Sequence, residues 1–362
     1  AALAFGGDAS GTETNATESY NGTNWTEVNN LNTSRTLIGS NGTQTSALAY
    51  GGSPNPAGGT FTLTETWNGT NWTEVNDLNS DRNSLPGLGA DNTSALAIGG
   101  FEPPYTAKTE SWNGTNWTEV NDLNTAKRGM GASGIITAGL AYGGSGSPGK
   151  LNETESWNGT NWTEVNNLNT ARRYLGGVGA DNTACLAYGG PNAAPGGTQQ
   201  ALTEQWNGTN WTEVNDLNTA RGNNDGGAGT YTAALWAGGD SPPASPINVA
   251  LTESWNGTNW TEVNDLNQGR QSAAMIGATN TAAICFGGVD PSSGPVPSIM
   301  VLNELWNGTN WTETTDLSTG RHQLSGAGSS SSGLAFGGRT PTVVGTTEEW
   351  NNGPVVSTFT DS

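Results

Sequence analysis

Apolar positions along this chain fall in short runs separated by Gly, Asn, Asp and Thr, and one arrangement returns many times. Between Gly89 and Gly100 a turn at Asp91-Asn92 divides two strands rich in Gly and Ala, the second ending at Gly99-Gly100. Downstream, the sequences Thr-Glu-Ser-Trp and Trp-Thr-Glu-Val flank Asn113-Gly114-Thr115-Asn116. Asn-Gly is the strongest short hairpin signal, because both residues accept positive φ. The unit therefore reads as four short antiparallel strands. Small residues in the first two suit a crowded inner position, whereas the Trp pair and Val of the outer hairpin need an adjacent sheet to cover them.

Aligning the second Trp of each copy gives Trp25, Trp72, Trp117, Trp162, Trp211, Trp260 and Trp311, a period of 45 to 51 residues. Five residues earlier stand Tyr20, Trp67, Trp112, Trp157, Trp206, Trp255 and Trp306, with Trp350 in a degenerate last copy. Eight Gly-Gly pairs, from Gly6-Gly7 to Gly337-Gly338, precede these aromatics. Ten residues after the second Trp comes Arg35, Arg82, Arg172, Arg221, Arg270 or Arg321, with Lys127 in the third copy. A Glu stands two residues before each first aromatic, Glu155 and Glu204 among them. Such regularity points to an ion pair with the Arg series, for example Arg172 and Arg221, that fixes register. One unit cannot bury its Trp surface alone, so the period predicts a ring of repeated sheets.

An Arg, a strand ending in Gly-Gly, an aromatic late in the third strand and a Trp in the fourth resemble the kelch motif, in the order Arg172, Gly189-Gly190, Trp206 and Trp211. The wording of the copies is also similar to tandem kelch-like proteins of marine bacteriophages, those of cyanobacteria especially. Trp replaces the family's usual Tyr in the third strand, and Asn-Gly follows it rather than Asp-Pro. The resemblance implies an all-β, kelch-like β-propeller of four-stranded antiparallel blades over residues 1–362, one domain. Eight Gly-Gly strands favour eight blades, a partial first blade over 1–34 and seven further blades over 35–362; seven blades with an N-terminal extension is the alternative. The first unit lacks an innermost strand, which upstream residues or a neighbouring subunit are expected to supply. Val355 aligns with the fourth strand of the last unit.

Composition and charge narrow the function. Gly numbers 54 while Lys and Arg total 12, against 32 Asp and Glu, for a net charge of −20. That excess opposes attraction to nucleic acid or anionic lipid, and no apolar run approaches the roughly 20 residues that span a bilayer. The copper-oxidase branch that the kelch resemblance brings to mind implies two His, two Tyr and a Cys, whereas His322 is the single histidine. It reads as a surface substitution at a blade entrance. No GxSxG elbow or sialidase box is present, so no catalytic residue is assigned. Cys185 and Cys285 read as small buried hydrophobes. Asp77, Asp122, Asp216, Asp265 and Asp316 recur near carbonyl-rich turns without the spacing of a calcium loop, so no metal and no cofactor is expected. The Asn-x-Thr sites at Asn21, Asn24, Asn68, Asn71 and their equivalents are what an Asn-Gly hairpin beside Trp-Thr would use in any case.

Function is expected where uniformity fails. The loops from second to third strand vary most in length and content, and Tyr105, Lys108, Lys150, Gln199, Ile247, Val296, Ile299 and Met300 fall on them as candidate binding residues. The Trp pairs Trp67 and Trp72, Trp112 and Trp117, Trp157 and Trp162, Trp206 and Trp211, Trp255 and Trp260, and Trp306 and Trp311 are expected to be structural. With the phage resemblance, this predicts a non-enzymatic virion structural or host-attachment protein, in the virion or extracellular. Its expected partners are further copies of itself, other virion proteins or a cell-surface glycan. The alternative is a secreted bacterial adhesin, and a carbohydrate-active propeller enzyme ranks below both.

Overall fold

In the computed structural model, residues 2–351 are described except 6–7, 10–11, 14–16, 21–24, 34, 36, 44, 55–58, 193–197, 223–226, 242–246, 291–297, 318–319, 321, 330–331 and 340–347. Over the two terminal regions the backbone alone is described. Six sheets are complete four-stranded antiparallel blades, each with its strands in sequence order. The second blade is typical: Gly87–Asp91, Ser94–Ile98, Thr109–Trp112 and Trp117–Glu119. The first blade opens at Gly39–Thr43, the third at Gly131–Ile135, the fourth at Gly176–Asp181, the fifth at Ala228–Thr230 and the sixth at Ala274–Thr279. First strands of successive blades adjoin one another around the axis.

The count of six corrects the expectation of eight blades, and of seven as the alternative. Gly-Gly strands at the two chain ends carry the signature of a blade without building a complete one. Ala2–Phe5, Thr17–Tyr20 and Trp25–Val28 form a three-stranded N-terminal sheet. His322–Ser329, Ser332–Arg339 and Glu348–Asn351 pair in that order as a closing sheet. The His322–Ser329 strand adjoins the first strands of both the sixth and the first blade, and the N-terminal sheet packs against the other two closing strands. Val355 lies outside the described residues.

The repeated residues act at the seams between blades. Within a blade the two Trp are direct cross-strand partners, as in Trp112↔Trp117, with ring centroids 5.3–5.6 Å apart. The second indole then reaches the preceding blade: Trp117, Trp162, Trp211, Trp260 and Trp311 donate Nε1–H to Thr64, Thr109, Thr154, Thr203 and Thr252 Oγ1 at 2.9–3.0 Å. These Trp are buried, as are their first-position partners. Gly-Gly serves the same seam. Gly51 and Gly52 both hold positive φ, the Gly52 amide donates to the Arg82 carbonyl of the next blade at 2.9 Å, and a Cβ on Gly51 would lie 2.5 Å from that oxygen. No side chain fits there.

Each blade cation meets the Glu of its own third strand with both side chains fully buried: Arg35–Glu65, Arg82–Glu110, Lys127–Glu155, Arg172–Glu204, Arg221–Glu253 and Arg270–Glu304, at 2.7–3.2 Å. The second carboxylate oxygen accepts from the preceding connection, as Asn79 N–H and Nδ2 donate to Glu110 Oε2 at 2.7 Å. A buried charge survives only when paired and hydrogen-bonded in this way.

Candidate functional site

Antiparallel order puts the second-to-third-strand loops and the fourth-to-first-strand connections at the same end of every blade. Backbone bridges Asn83↔Phe101, Arg128↔Ser145, Arg172↔Asn192, Gly222↔Asp240 and Gln271↔Val289 tie them into one surface. Two residues after the blade cation the chain turns left-handed, at Leu37, Ser84, Gly129, Tyr174 and Ser272, with φ of 47–57°. A non-glycine residue in this region costs about 1–3 kcal/mol and persists only where the surroundings fix it. Here the Ser84 amide donates to the Leu37 carbonyl, and Tyr174 to Gly129, each at 3.0 Å across a blade boundary.

Subtracting the seven blade cations from the 12 Lys and Arg leaves five, Lys108, Arg128, Lys150, Arg173 and Arg339. Four of them cluster about the third blade. Ser145 is their hub: its backbone bridges to Arg128 and to Lys150, and its Oγ accepts from Arg173 Nη1 at 3.4 Å. Arg128 lies over the Phe101 ring at 4.5 Å and the Tyr105 ring at 5.7 Å, while Arg173 lies over Tyr174 at 5.0 Å. Gly129 leaves room for the Tyr174 ring, since a Cβ there would lie 2.6 Å from it, and Tyr174 is 41% exposed. Lys150 donates to the Asn192 carbonyl, and partial burial together with the Arg173 guanidinium lowers its pKa. Among the described residues Arg128, Lys150 and Arg173 have no carboxylate partner, whereas Lys108 pairs with Glu102 at 3.0 Å. On a chain of net charge −20, three cations without a carboxylate partner between the Phe101 and Tyr105 rings and Tyr174 form a local positive patch.

The structure brings Tyr105, Lys108 and Lys150 to this sector. Gln199 lies one blade further on, with Nε2 donating to Asp240 Oδ1 at 2.8 Å. Ile247 is in a short strand pair with Asp240–Ser241, and Ile299 is half-buried in an equivalent pair with Val289–Asp290. Met300 is buried rather than available for contact, because its amide bonds the Gly288 carbonyl and turns the chain inward. Val296 lies outside the described residues. Phe101, Arg128, Ser145, Arg173 and Tyr174 were missed in the sequence. The signal was present, for Arg128 and Arg173 each follow a blade cation directly.

The recurring acids and amides have structural duties. Asp122 Oδ1 accepts the Thr109 amide at 3.0 Å, and Asp77, Asp216 and Asp265 do the same one blade at a time. Asn167 takes that place in the third blade with equal geometry, so charge is not required there. In the hairpins, Asn113 Oδ1 accepts from Thr115 and Asn116 N–H, and the Asn116 side chain accepts from Asn76 of the preceding blade at 2.6 Å. Those amides are thus engaged where the sequence shows a glycosylation pattern. Cys185 and Cys285 are buried free thiols, and His322 lies in the closing strand. Among the described residues no three His, Cys, Asp or Glu side chains gather as a metal site, and no helix is long and apolar enough to cross a membrane.

No family model and no curated protein sequence matches this chain. Among solved structures it is similar to one titled "Structure of YjhT", with a TM-score of 0.56 and 13% identity over 74% of this chain and 94% of that one. This likeness runs against the expectation of a phage structural or host-attachment protein, of its adhesin alternative, and of a chain assigned no enzymatic role, and none of the three is kept. A shared repeat wording reflects what the seams require, and it does not carry a virion function. At this identity the likeness carries the fold alone. The chain is a six-bladed β-propeller with four-stranded antiparallel blades, related in fold to YjhT.

Proposed function

We propose that this chain is a kelch-type propeller that recognises an acidic glycan on the axial-face sector centred on the third blade. The observation that carries the reading is the gathering of Arg128, Lys150 and Arg173 around Ser145 without a carboxylate partner among the described residues. Phe101, Tyr105 and Tyr174 beside them supply the flat apolar surface against which sugar C–H groups pack, and the guanidinium forks suit carboxylate or sulfate oxygens. A long polyanion such as nucleic acid would meet the remaining acidic surface, whereas a sugar chain with spaced charges meets fewer of those groups. Kelch-type membership is supported by the Arg172, Gly189-Gly190, Trp206 and Trp211 constellation, whose members each hold a blade or a seam.

The test is calorimetric titration of the full chain with oligogalacturonate and with an uncharged oligosaccharide of equal length. The acidic ligand should bind, weaken as salt rises, and lose about tenfold in affinity for each of Arg128→Gln and Arg173→Gln, the worth of one charge-assisted hydrogen bond. Equal binding of both oligosaccharides, or variants indistinguishable from the parent, would refute the reading.

A further inference from the structure

At the end of the blades opposite the positive patch stand six described hairpins of one sequence, Asn-Gly-Thr-Asn, beginning at Asn68, Asn113, Asn158, Asn207, Asn256 and Asn307. Each of these asparagines is exposed, and its Oδ1 accepts from the two backbone amides that follow the glycine, at 2.9–3.0 Å. At Asn113 the donors are Thr115 and Asn116 N–H. The glycine between holds φ of 90–92° in every copy, a conformation glycine takes readily, and it brings no Cβ to shield its own nitrogen. Among the described residues nothing accepts the Gly114 N–H, and Asn113 Nδ2 donates to nothing.

Each of these features falls on an atom of one reaction. The glycine nitrogen, once it has given its proton to a solvent base, forms a bond to the asparagine Cγ, and the Cγ–Oδ1 π pair moves onto the oxygen. Two N–H donors already face that oxygen as it turns negative, as an oxyanion hole does. Collapse of the tetrahedral centre breaks the Cγ–Nδ2 bond, and the nitrogen takes a proton from solvent and leaves as ammonia. Water then opens the succinimide to aspartate or to isoaspartate. One water is consumed, one ammonia is released and one negative charge is gained.

We propose that the hairpin asparagines are sites of intramolecular deamidation, which adds charge stepwise to one face of a chain that already stands at −20. Aspartate keeps both amide bonds and strengthens them with its charge. Isoaspartate instead lengthens the main chain between the cross-strand partners Trp112 and Trp117. The same dipeptide at Asn41-Gly42 is an internal contrast, because it lies in a first strand opposite Leu48 and Ala47. There Tyr50 OH donates to Asn41 Oδ1 at 2.5 Å and Asn41 Nδ2 donates to the Gly89 carbonyl at 3.5 Å. Held against the second blade, that amide is not free to turn toward the Gly42 nitrogen.

The test is peptide mapping of the full chain by mass spectrometry after timed incubation in mildly alkaline buffer, folded and in guanidinium chloride. In the folded chain the six hairpin sites should convert no more slowly than in the unfolded one. Asn41 should lag them by about tenfold, less than a donor pair contributes in a water-excluded site, and should join them once the chain is unfolded. Asn113→Ser keeps an acceptor oxygen at the turn but has no carbonyl carbon to attack, so isoelectric focusing should show one charge step fewer. Hairpin sites that convert more slowly folded than unfolded would overturn the proposal, since the turn would then protect them. Asn41 converting at the hairpin rate in the folded chain would overturn it as well, because the dipeptide alone would decide.

Discussion

Trp117, Trp162, Trp211, Trp260 and Trp311 each fill the space between two blades and satisfy their only donor on the far side of it. Trp162 is buried and its Nε1–H ends on Thr109 Oγ1 at 3.0 Å. Trp162→Ala is expected to cost about 3–5 kcal/mol, as large-to-small core changes do. Thr109→Val keeps the shape but strands the indole donor, at about 1–3 kcal/mol. Urea midpoints on the two variants check both values, and a Thr109→Val midpoint equal to the parent's would show that the bond contributes nothing. Burial also pushes the phenols of Tyr50, Tyr142 and Tyr188 well above the ordinary tyrosine value, and the Cys185 thiol up to about 11. A raised acid stays neutral in the fold while the unfolded chain ionises first. Its contribution is therefore complete below its ordinary pKa and lost as pH rises beyond it. Denaturant midpoints should hold from about pH 7 to about pH 8 and fall steeply above about pH 10, where free tyrosine titrates. A midpoint unchanged at about pH 11 would contradict the burial of these phenols.

At the scale of the blade, the ion pair is a test of register. Arg172 donates to Glu204 and to the Gly189 and Leu202 carbonyls, so it ties the second strand to the third and to the loop between them. Arg172→Met leaves Glu204 buried and unpaired and is expected to cost about 3–5 kcal/mol, most of it recovered when Glu204→Leu is added. A double variant as unstable as the single would mean that the carbonyl bonds, not the charge, hold the blade. Blades were legible in the sequence because everything that makes one is local: an Asn-Gly hairpin, Trp at a fixed offset, Gly-Gly at a strand end. Their number was not. Leu3 to Gly7 and Leu334 to Gly338 carry the same local signature as a complete blade, and nothing within a strand reports which other strands will be present to pair with it. The positive patch was hidden for a related reason, since Arg128 and Arg173 stand beside the blade cations Lys127 and Arg172 and look like part of that series. Met300 misled in the opposite direction, as an apolar residue in a variable loop whose backbone turns it inward.

Over the whole molecule, charge is distributed unevenly. Six of the seven blade cations are described, and all six are consumed by buried Glu partners. The remaining cations are few, while Glu74, Glu119, Glu164, Glu213, Glu262 and Glu313 are exposed on the outer strands. With a net charge of −20, this rim repels itself at low ionic strength. Raising salt from about 10 mM to about 150 mM should increase the melting temperature by about 1–2 °C, equivalent to about 1 kcal/mol. A fall in melting temperature would show that the surface cations stabilise the fold more than the rim disturbs it.

The seams themselves carry no address. Gly52 meets the Arg82 carbonyl, Trp117 meets Thr64 and Asn76 meets Asn116, and the next boundary repeats the sentence with Gly100 on Lys127, Trp162 on Thr109 and Asn121 on Asn161. A boundary written alike everywhere cannot tell the third blade from the fifth, so blades find their neighbours only because the chain delivers them in order. It follows that such a molecule cannot count. Gaining or losing one whole unit would leave every surviving seam with its full set of bonds, and the size of the ring would be settled by whether its two ends can still meet.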